Sequence, residues 1–408
     1  MKEKGYGSSK VSGIKILPFY LFTFLLLTLS GCIEEYEADI AKEDSNLLVV
    51  EGTICSGKLN KFYLSRAQAI DPSKTPQMIT NAMVSVRGSD GSERIANNSY
   101  YNYGYSGYYM CQIDTLYPDV EYYLHIEADG EVYESEPQKP LRTEKIADVK
   151  GVQNTPESNI DVLVTPSEPY ASDQAHYYSW TYDETWEVHP DYITGVYYDT
   201  EKKKPVDKTN QFPLRGWKDA SGATVIVGAS TNYDDQHIRG LKLYDIDRTH
   251  ERMYYRYSGL IHQRAISKAE YEYELAQRQA GSEMGGLFTP QPSALPTNIR
   301  CLTSRRHVIG YVGCSLNTSE YRFFLHPKDF STFHYPHPDT RLWLENPTEA
   351  DCMRLVLRGM YLCEWDEPLA PGDVLRTAWA YLYQLDVRYH GAYVEEPEFW
   401  SWKENRSY

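Results

Sequence analysis

Residues 82–91 read Ala82-Met83-Val84-Ser85-Val86-Arg87-Gly88-Ser89-Asp90-Gly91, and this stretch decides the fold class. Ala82, Val84 and Val86 recur at every second position, so an extended chain carries all three on one face. Ser89-Asp90-Gly91 then supplies a hairpin turn, because glycine tolerates the positive φ that tight turns require. The same pattern continues on both sides. Leu47 to Gly52 is apolar, Lys61 to Ser65 alternates, and Tyr108 to Ile113 and Glu121 to Glu127 follow. Ala128-Asp129-Gly130 turns the chain into Val132 to Ser135, and Pro137 and Pro140 close the run. Roughly seven short strands in about 100 residues predict an immunoglobulin-like or transthyretin-like β-sandwich over residues 47–145.

From 146 to 408 the pattern stays β while the loops lengthen, with strands expected at Ile160 to Val164, His176 to Val188, Thr224 to Ala229 and Arg252 to Leu260. One helix is expected to begin at Ser267, with Ser267 and Glu270 as a capping box, an interior through Tyr273 and Ala276, and Gly281 as its end. Glu274 and Arg278 lie one turn apart on it, the spacing of a weak ion pair. The Gly/Pro-rich passage from Gly285 to Pro292 reads as irregular. Val308 to Ser315 and Tyr321 to Leu325 read as a hairpin about Asn317-Thr318-Ser319. The expected fold is therefore mainly β: an N-terminal sandwich followed by a larger β-rich domain with one or two helices. Tyrosine supports this, with 37 copies against 11 phenylalanines, because its ring suits half-buried strands and its hydroxyl suits water or an interface.

The chain has 408 residues, of which 41% are hydrophobic and 24% charged, a globular composition. Its net charge of −16 opposes a nucleic-acid role, which needs a basic footprint to neutralise phosphates.

Lys2, Lys4, Lys10 and Lys15 precede an uncharged, Leu- and Phe-rich run from Ile16 to Ile33, the order of a secretory signal. The run ends Leu29-Ser30-Gly31-Cys32, which resembles a bacterial lipobox. That resemblance implies acylation of Cys32 and removal of residues 1–31, which takes the net charge from −16 to −19 by deleting four lysines and Glu3. Residues 32–46 then form an acidic tether. Its opening, Ile33-Glu34-Glu35-Tyr36-Glu37, resembles the tag that sends lipoproteins of Bacteroidota to the outer face of the outer membrane. The protein is expected to be a lipid-anchored body facing the cell exterior.

Six further cysteines are an even number in an exported chain, which permits disulfides. Proximity in sequence favours Cys352 with Cys363, Cys301 with Cys314, and Cys55 with Cys111.

Chemistry is harder to find. The chain has no HExxH, GxxxxGK[ST] or GxGxxG, and Gly104-Tyr105-Ser106-Gly107 has the wrong spacing for a nucleophile elbow. His334-Tyr335-Pro336-His337-Pro338-Asp339 offers two imidazoles and a carboxylate but no second cluster to complete a metal site, and Asp245-Ile246-Asp247 lacks the rest of a calcium loop. No catalytic residue, metal or cofactor is expected. The candidate contact surface is Tyr100, Tyr101, Tyr103 and Tyr105, whose Tyr/Gly/Asn setting is that of adaptable recognition loops. Tyr177 to Tyr182 with Trp186 alternates instead and reads as strand packing.

Several stretches together resemble a family of exported Bacteroidota lipoproteins catalogued as a domain of unknown function, number four-two-four-nine in that series. They are Leu48-Val49-Val50-Glu51-Gly52, Asn81-Ala82 with Val84 and Val86, and Gly107-Tyr108-Tyr109. In the second half they are the Ser267 helix with Glu272-Tyr273, Gly286-Leu287-Phe288 with Gln291-Pro292 and Asn298, Gly310-Tyr311-Val312-Gly313, and Pro397-Glu398-Phe399-Trp400. The family pattern often has a close Cys pair ahead of the terminal Pro-x-Phe-Trp, whereas residues 386–391 here read Asp-Val-Arg-Tyr-His-Gly. The resemblance implies an outer-membrane setting beside a TonB-dependent receptor and implies no reaction. The expectation is a non-enzymatic accessory or substrate-capture component of such a transporter. A free-standing surface binder of glycan or host protein is the alternative.

Overall fold

The structure is a computed structural model that describes residues 46–67, 77–101, 104–168, 176–282, 295–333, 338–401 and 406–407. Cys32, the signal run, the tether, the Gly285–Pro292 passage and His334–His337 lie outside the described residues. The described chain, from Asn46 on, is a single compact unit and is mainly β. None of its helices is long and apolar enough to cross a membrane.

In chain order the first strands are β1 (Leu48–Cys55), β2 (Lys58–Arg66), β3 (Gln77–Met78), β4 (Met83–Gly88), β5 (Glu93–Tyr101), β6 (Gly104–Ile113), β7 (Tyr122–Ala128) and β8 (Glu131–Ser135). The alternation that named them is the one that buries Val50, Ile54, Phe62, Leu64, Val84, Val86, Leu124 and Ile126 in one core. Asp129 and Gly130 both take positive φ, 53° and 80°, which makes the β7–β8 connection the primed two-residue turn whose twist suits a hairpin.

The next strands are β9 (Ile146–Val152), β10 (Ile160–Pro166), β11 (Tyr177–Val188), β12 (Val196–Asp199), β13 (Lys204–Asp207), β14 (Gly216–Ser221), β15 (Ile226–Ala229), β16 (Leu241–Ile246) and β17 (Tyr257–Ile266). Helix α1 (Lys268–Ser282) follows, then β18 (Ile299–Cys301), β19 (Val308–Ser315) and β20 (Ser319–Leu325). A second core lies between the sheet β14-β11-β17-β20 and the sheet β16-β10-β9, where Ile160, Val162 and Val164 meet Trp180, Tyr257, Ile261 and Phe323. Tyr178 and Trp180 are buried in it, as strand packing requires. A smaller sheet, β21 (Leu342–Glu345), β22 (Met360–Asp366) and β23 (Arg376–Tyr381), packs with helix α2 (Glu349–Leu357) around Trp379.

Six details differ from the sequence expectation. Residues 47–145 do not close the first sandwich alone: β18 pairs with β8, and β19 runs parallel to β1 from Leu48↔Val308 to Cys55↔Ser315. Parallel partners need a long crossover, so no local pattern announces them. Consequently β19 and β20 are not a hairpin, since β20 pairs with β17 in the other sheet. Their connection crosses between the sandwiches where the chain first crossed, and Thr143 and Asn317 clamp the two crossings. Thr143 N–H donates to Asn317 Oδ1 at 3.0 Å, its hydroxyl to Asn317 O at 2.7 Å, and Asn317 Nδ2 returns to Thr143 O at 2.8 Å.

The proposed disulfides are also absent, and all six described cysteines are free. Cys55 and Cys111 sit on β1 and β6 with β2 between them, and two inter-strand spacings of ~4.8 Å exceed the ~7 Å Cα limit of a bridge. Cys352 belongs to the core around Trp379, whereas Cys363 occupies a bulge in β22 and joins Ala378, Ala380 and Leu385. Cys301 contacts the hydroxyls of Thr303 and Ser304 at 3.4 and 3.2 Å, while Cys314 is buried in the first core.

The Tyr100–Tyr105 segment is hairpin rather than free loop, with backbone pairs Tyr100↔Tyr105 and Tyr101↔Gly104. The side chains of Tyr100, Tyr101 and Tyr105, and all of Tyr103, lie outside the described residues. Finally, Ser267 does cap α1, accepting from Glu270 N–H at 3.1 Å, but Glu270 does not complete the box because its carboxylate is taken by Arg264. The helix runs through Gly281 to Ser282.

Candidate functional site

A groove of about 770 Å³ lies between the two sandwiches, walled by β1 and β2 on one side, β11 and β17 on the other, with α1 and β19 along it. Strand alternation places Glu51, Thr53 and Cys55 of β1 on this face, while Val50 and Ile54 face the first core.

Its centre is an ion pair. Arg264 Nη2 donates to Glu270 Oε1 at 2.5 Å, with Glu270 buried on the first turn of α1. The pair lies flat on Gly313 of β19, where a Cβ would fall 2.5 Å from Glu270 Oε1 and 2.6 Å from Arg264 Nη1. Only glycine leaves that space. Three residues earlier, Gly310 has φ +124° and a Cβ there would fall 1.9 Å from the Val50 carbonyl oxygen, so both glycines of Gly310-Tyr311-Val312-Gly313 answer to close approach. Between them, Val312 is held by Asn298, whose Oδ1 accepts from Val312 N at 3.0 Å and whose Nδ2 donates to Val312 O at 2.9 Å. Tyr311 points its hydroxyl at Ser267 Oγ, 3.2 Å away, and its ring lies 5.6 Å from that of Tyr273.

Around this centre are two carboxylates, Glu274 and Glu51, in no ion pair among the described residues. Burial pushes Glu274 up to about 7, and the negative charges of Glu270 and Glu51 add to this against the pull of Arg264. Desolvation also raises Glu51. Arg278, one turn beyond Glu274, donates instead to the Val225 carbonyl at 3.2 Å, so the ion pair expected along the helix does not form.

At the other end, His262 Nδ1 lies 3.1 Å from Glu320 Oε1 and its Nε2 lies 2.9 Å from Asp183 Oδ2. Burial lowers the imidazole pKa, but the two carboxylates outweigh it and hold the ring above its ordinary range. Ser221 donates to Asp183 Oδ1 at 2.5 Å rather than to the imidazole. An imidazole with a carboxylate at each nitrogen has no lone pair left to take a proton from a nucleophile, so this is not the arrangement of a hydrolytic triad. Burial also pushes the Cys55 thiol up, away from the reactive thiolate. The lining of the groove is rich in polar and charged side chains.

Of the paired cysteines expected from the sequence, Cys55 alone among the described residues lines this groove, and the side chains of Tyr100, Tyr101, Tyr103 and Tyr105 lie outside the described residues. Glu51, Gly52, Tyr273 and Tyr311 of the stretches that carry the family resemblance line the groove, while Ser267 and Asn298 of those stretches bond to Tyr311 and Val312. The metal-like loop contributes only Pro338 and Asp339 to the described residues, and Asp339 accepts from Arg341 at 2.9 Å and Trp343 at 2.8 Å. Asp245 is taken by Asn159 at 2.7 Å and Asp247 by Thr249 at 2.8 Å, as strand-end carboxylates.

The family described as Domain of unknown function (DUF4249) matches residues 33–321, a span that takes in the first sandwich, the groove and all of its lining strands. No curated protein matches the chain.

Proposed function

The chain belongs to that family of unknown function, and from this premise we propose that it is an exported binding lipoprotein, anchored through Cys32, that captures a ligand in its inter-sandwich groove beside a TonB-dependent outer-membrane receptor. The observation that carries the binding reading is the groove itself: about 770 Å³, polar and aromatic, with Glu51, Glu274 and the Tyr273 hydroxyl in no hydrogen bond or ion pair among the described residues. Ser221 donates to Asp183 and His262 faces a carboxylate at each nitrogen, so these two do not make a nucleophile–base pair. The lipobox-like Cys32 and the acidic tether support the anchored, outward-facing location. Tethering gives even weak contacts with a neighbouring barrel a high effective concentration.

The test is purification of the tagged protein from its native outer membrane in mild detergent, with mass spectrometry of the complex and of the N-terminus. A stoichiometric TonB-dependent receptor and a lipid mass on Cys32 are the expected result. A lipidated protein that emerges without a receptor refutes the transporter role and favours the free-standing binder.

A further inference from the structure

The α1 end of the groove presents three hydrogen-bond acceptors with nothing to accept. Tyr273 is only 4% exposed, lines the groove, and its hydroxyl has no hydrogen-bond partner among the described residues. Glu274, next to it on α1, and Glu51, across from it on β1, form no ion pair or hydrogen bond among the described residues. The three sense one another, since both carboxylates act on the phenol and Glu51 acts on Glu274.

The nearby cations make no bond to them. Arg264 is paired with Glu270 through Nη2 while its buried Nη1 has no hydrogen bond, Arg278 is bonded to Val225 O, Lys58 donates to Thr318 Oγ1 at 3.2 Å, and Lys61 lines the groove from β2 in no ion pair among the described residues. Of the other elements packed on α1, β15 is Ile226 to Ala229, β11 brings Tyr177 against Tyr271 and carries Asp183 into the same groove, and β19 brings Tyr311. Two carboxylates, the exposed Glu51 and the half-buried Glu274, and a phenol oxygen lining one groove match a group with three donors and a positive charge. The ring pair of Tyr273 and Tyr311 gives such a cation an aromatic wall.

We propose that the α1 end of the groove is an ammonium-binding subsite, in which Glu51, Glu274 and the Tyr273 hydroxyl receive the three N–H donors of a primary amine carried by the ligand. The inference rests on the reading of the groove as a ligand site, but not on any receptor. The amine is either a free small polyamine or the lysine side chain of a peptide. Binding displaces the proton that Glu274 holds near neutrality, so affinity rises with pH.

Isothermal titration of the lipidated protein in detergent tests this with three probes: putrescine, the end-blocked tripeptide acetyl-Ala-Lys-Ala-amide, and maltotriose as a neutral polyol. One or both amines should bind saturably, and which of them does identifies the source of the ammonium. Because Glu274 passes from about one-tenth to about nine-tenths ionised between pH 6 and pH 8, the amine should bind up to about ninefold tighter at pH 8. Glu274→Gln, with its circular dichroism unchanged, should weaken binding about tenfold and flatten the pH dependence, and Glu51→Gln gives an independent variant on the other wall. Binding of maltotriose alone, binding of no probe by folded protein, or amine binding that both variants leave intact would overturn the proposal. Receptor co-purification is read separately, so a receptor without amine binding sinks only the subsite, and amine binding without a receptor sinks only the transporter role.

Discussion

Gly313→Ala is the sharpest test of how the groove is held. The added Cβ would lie 2.5 and 2.7 Å from the two oxygens of Glu270 and 2.6 Å from Arg264 Nη1, where ordinary contacts begin at 3.4 Å. The ion pair must therefore retreat by roughly 1 Å from β19, and both partners are hemmed in by burial. Overpacking alone costs about 1–3 kcal/mol, and separating a buried ion pair about 3–5 kcal/mol, so a loss of about 2–4 kcal/mol is expected. With a slope of about 3 kcal/mol per molar urea, the midpoint should fall by about 1 M, read by tryptophan fluorescence. The decisive measurement repeats the substitution in an Arg264→Met/Glu270→Ala background. Removing both charges avoids leaving one buried and unpaired, and it takes away the three atoms nearest the Cβ, so most of the penalty should vanish as a coupling of about 1–3 kcal/mol. Gly310→Ala is the control, because its clash is with the Val50 backbone and its φ is +124°, and its cost should persist in both backgrounds. A Gly313→Ala penalty of equal size in the two backgrounds would refute the claim that glycine is there to seat the Arg264–Glu270 pair.

Glu274 should make stability fall with rising pH: its folded pKa of about 7 lies above its unfolded 4.5, so the folded state holds the proton more tightly and the stabilisation is lost between those values. Glu274→Gln should then match the wild type near pH 4.5 and exceed it by on the order of 2 kcal/mol at pH 8, and equal urea midpoints at both pH values would contradict this. His262 carries the opposite sign: raised by Glu320 and Asp183, its contribution is complete below the unfolded value of about 6.5 and disappears as pH rises through the folded one. An NMR titration should place the imidazole above that value, and Glu320→Gln should lower it. Iodoacetamide added to denatured, unreduced protein should label six cysteines besides Cys32, and a pair of unlabelled thiols would restore a disulfide.

Where chemistry is local in the chain, the residues announced the structure. The alternation of Ala82, Val84 and Val86, the Asp129-Gly130 turn and the Ser267 cap each rest on interactions within a few residues, and each appears in the fold. Mainly β architecture follows from them. What the sequence alone did not determine depends on partners far along the chain. The β1–β19 pairing joins residues about 260 apart, the Thr143–Asn317 clamp joins residues 174 apart, and a parallel strand has no turn to announce it. The cysteines show the same limit. Sequence proximity paired Cys352 with Cys363 and Cys55 with Cys111, but bridging depends on which face of a strand each thiol takes and how many strands intervene. Glu51, Glu270, Glu274, Tyr273 and Gly313 look ordinary one at a time, since a lone Glu or Gly in a globular chain is mostly surface or turn. Only the tertiary structure, by laying α1 and β19 against β1 and β17, buries Glu270, half-buries Glu274 and brings them to the groove that Glu51 also lines.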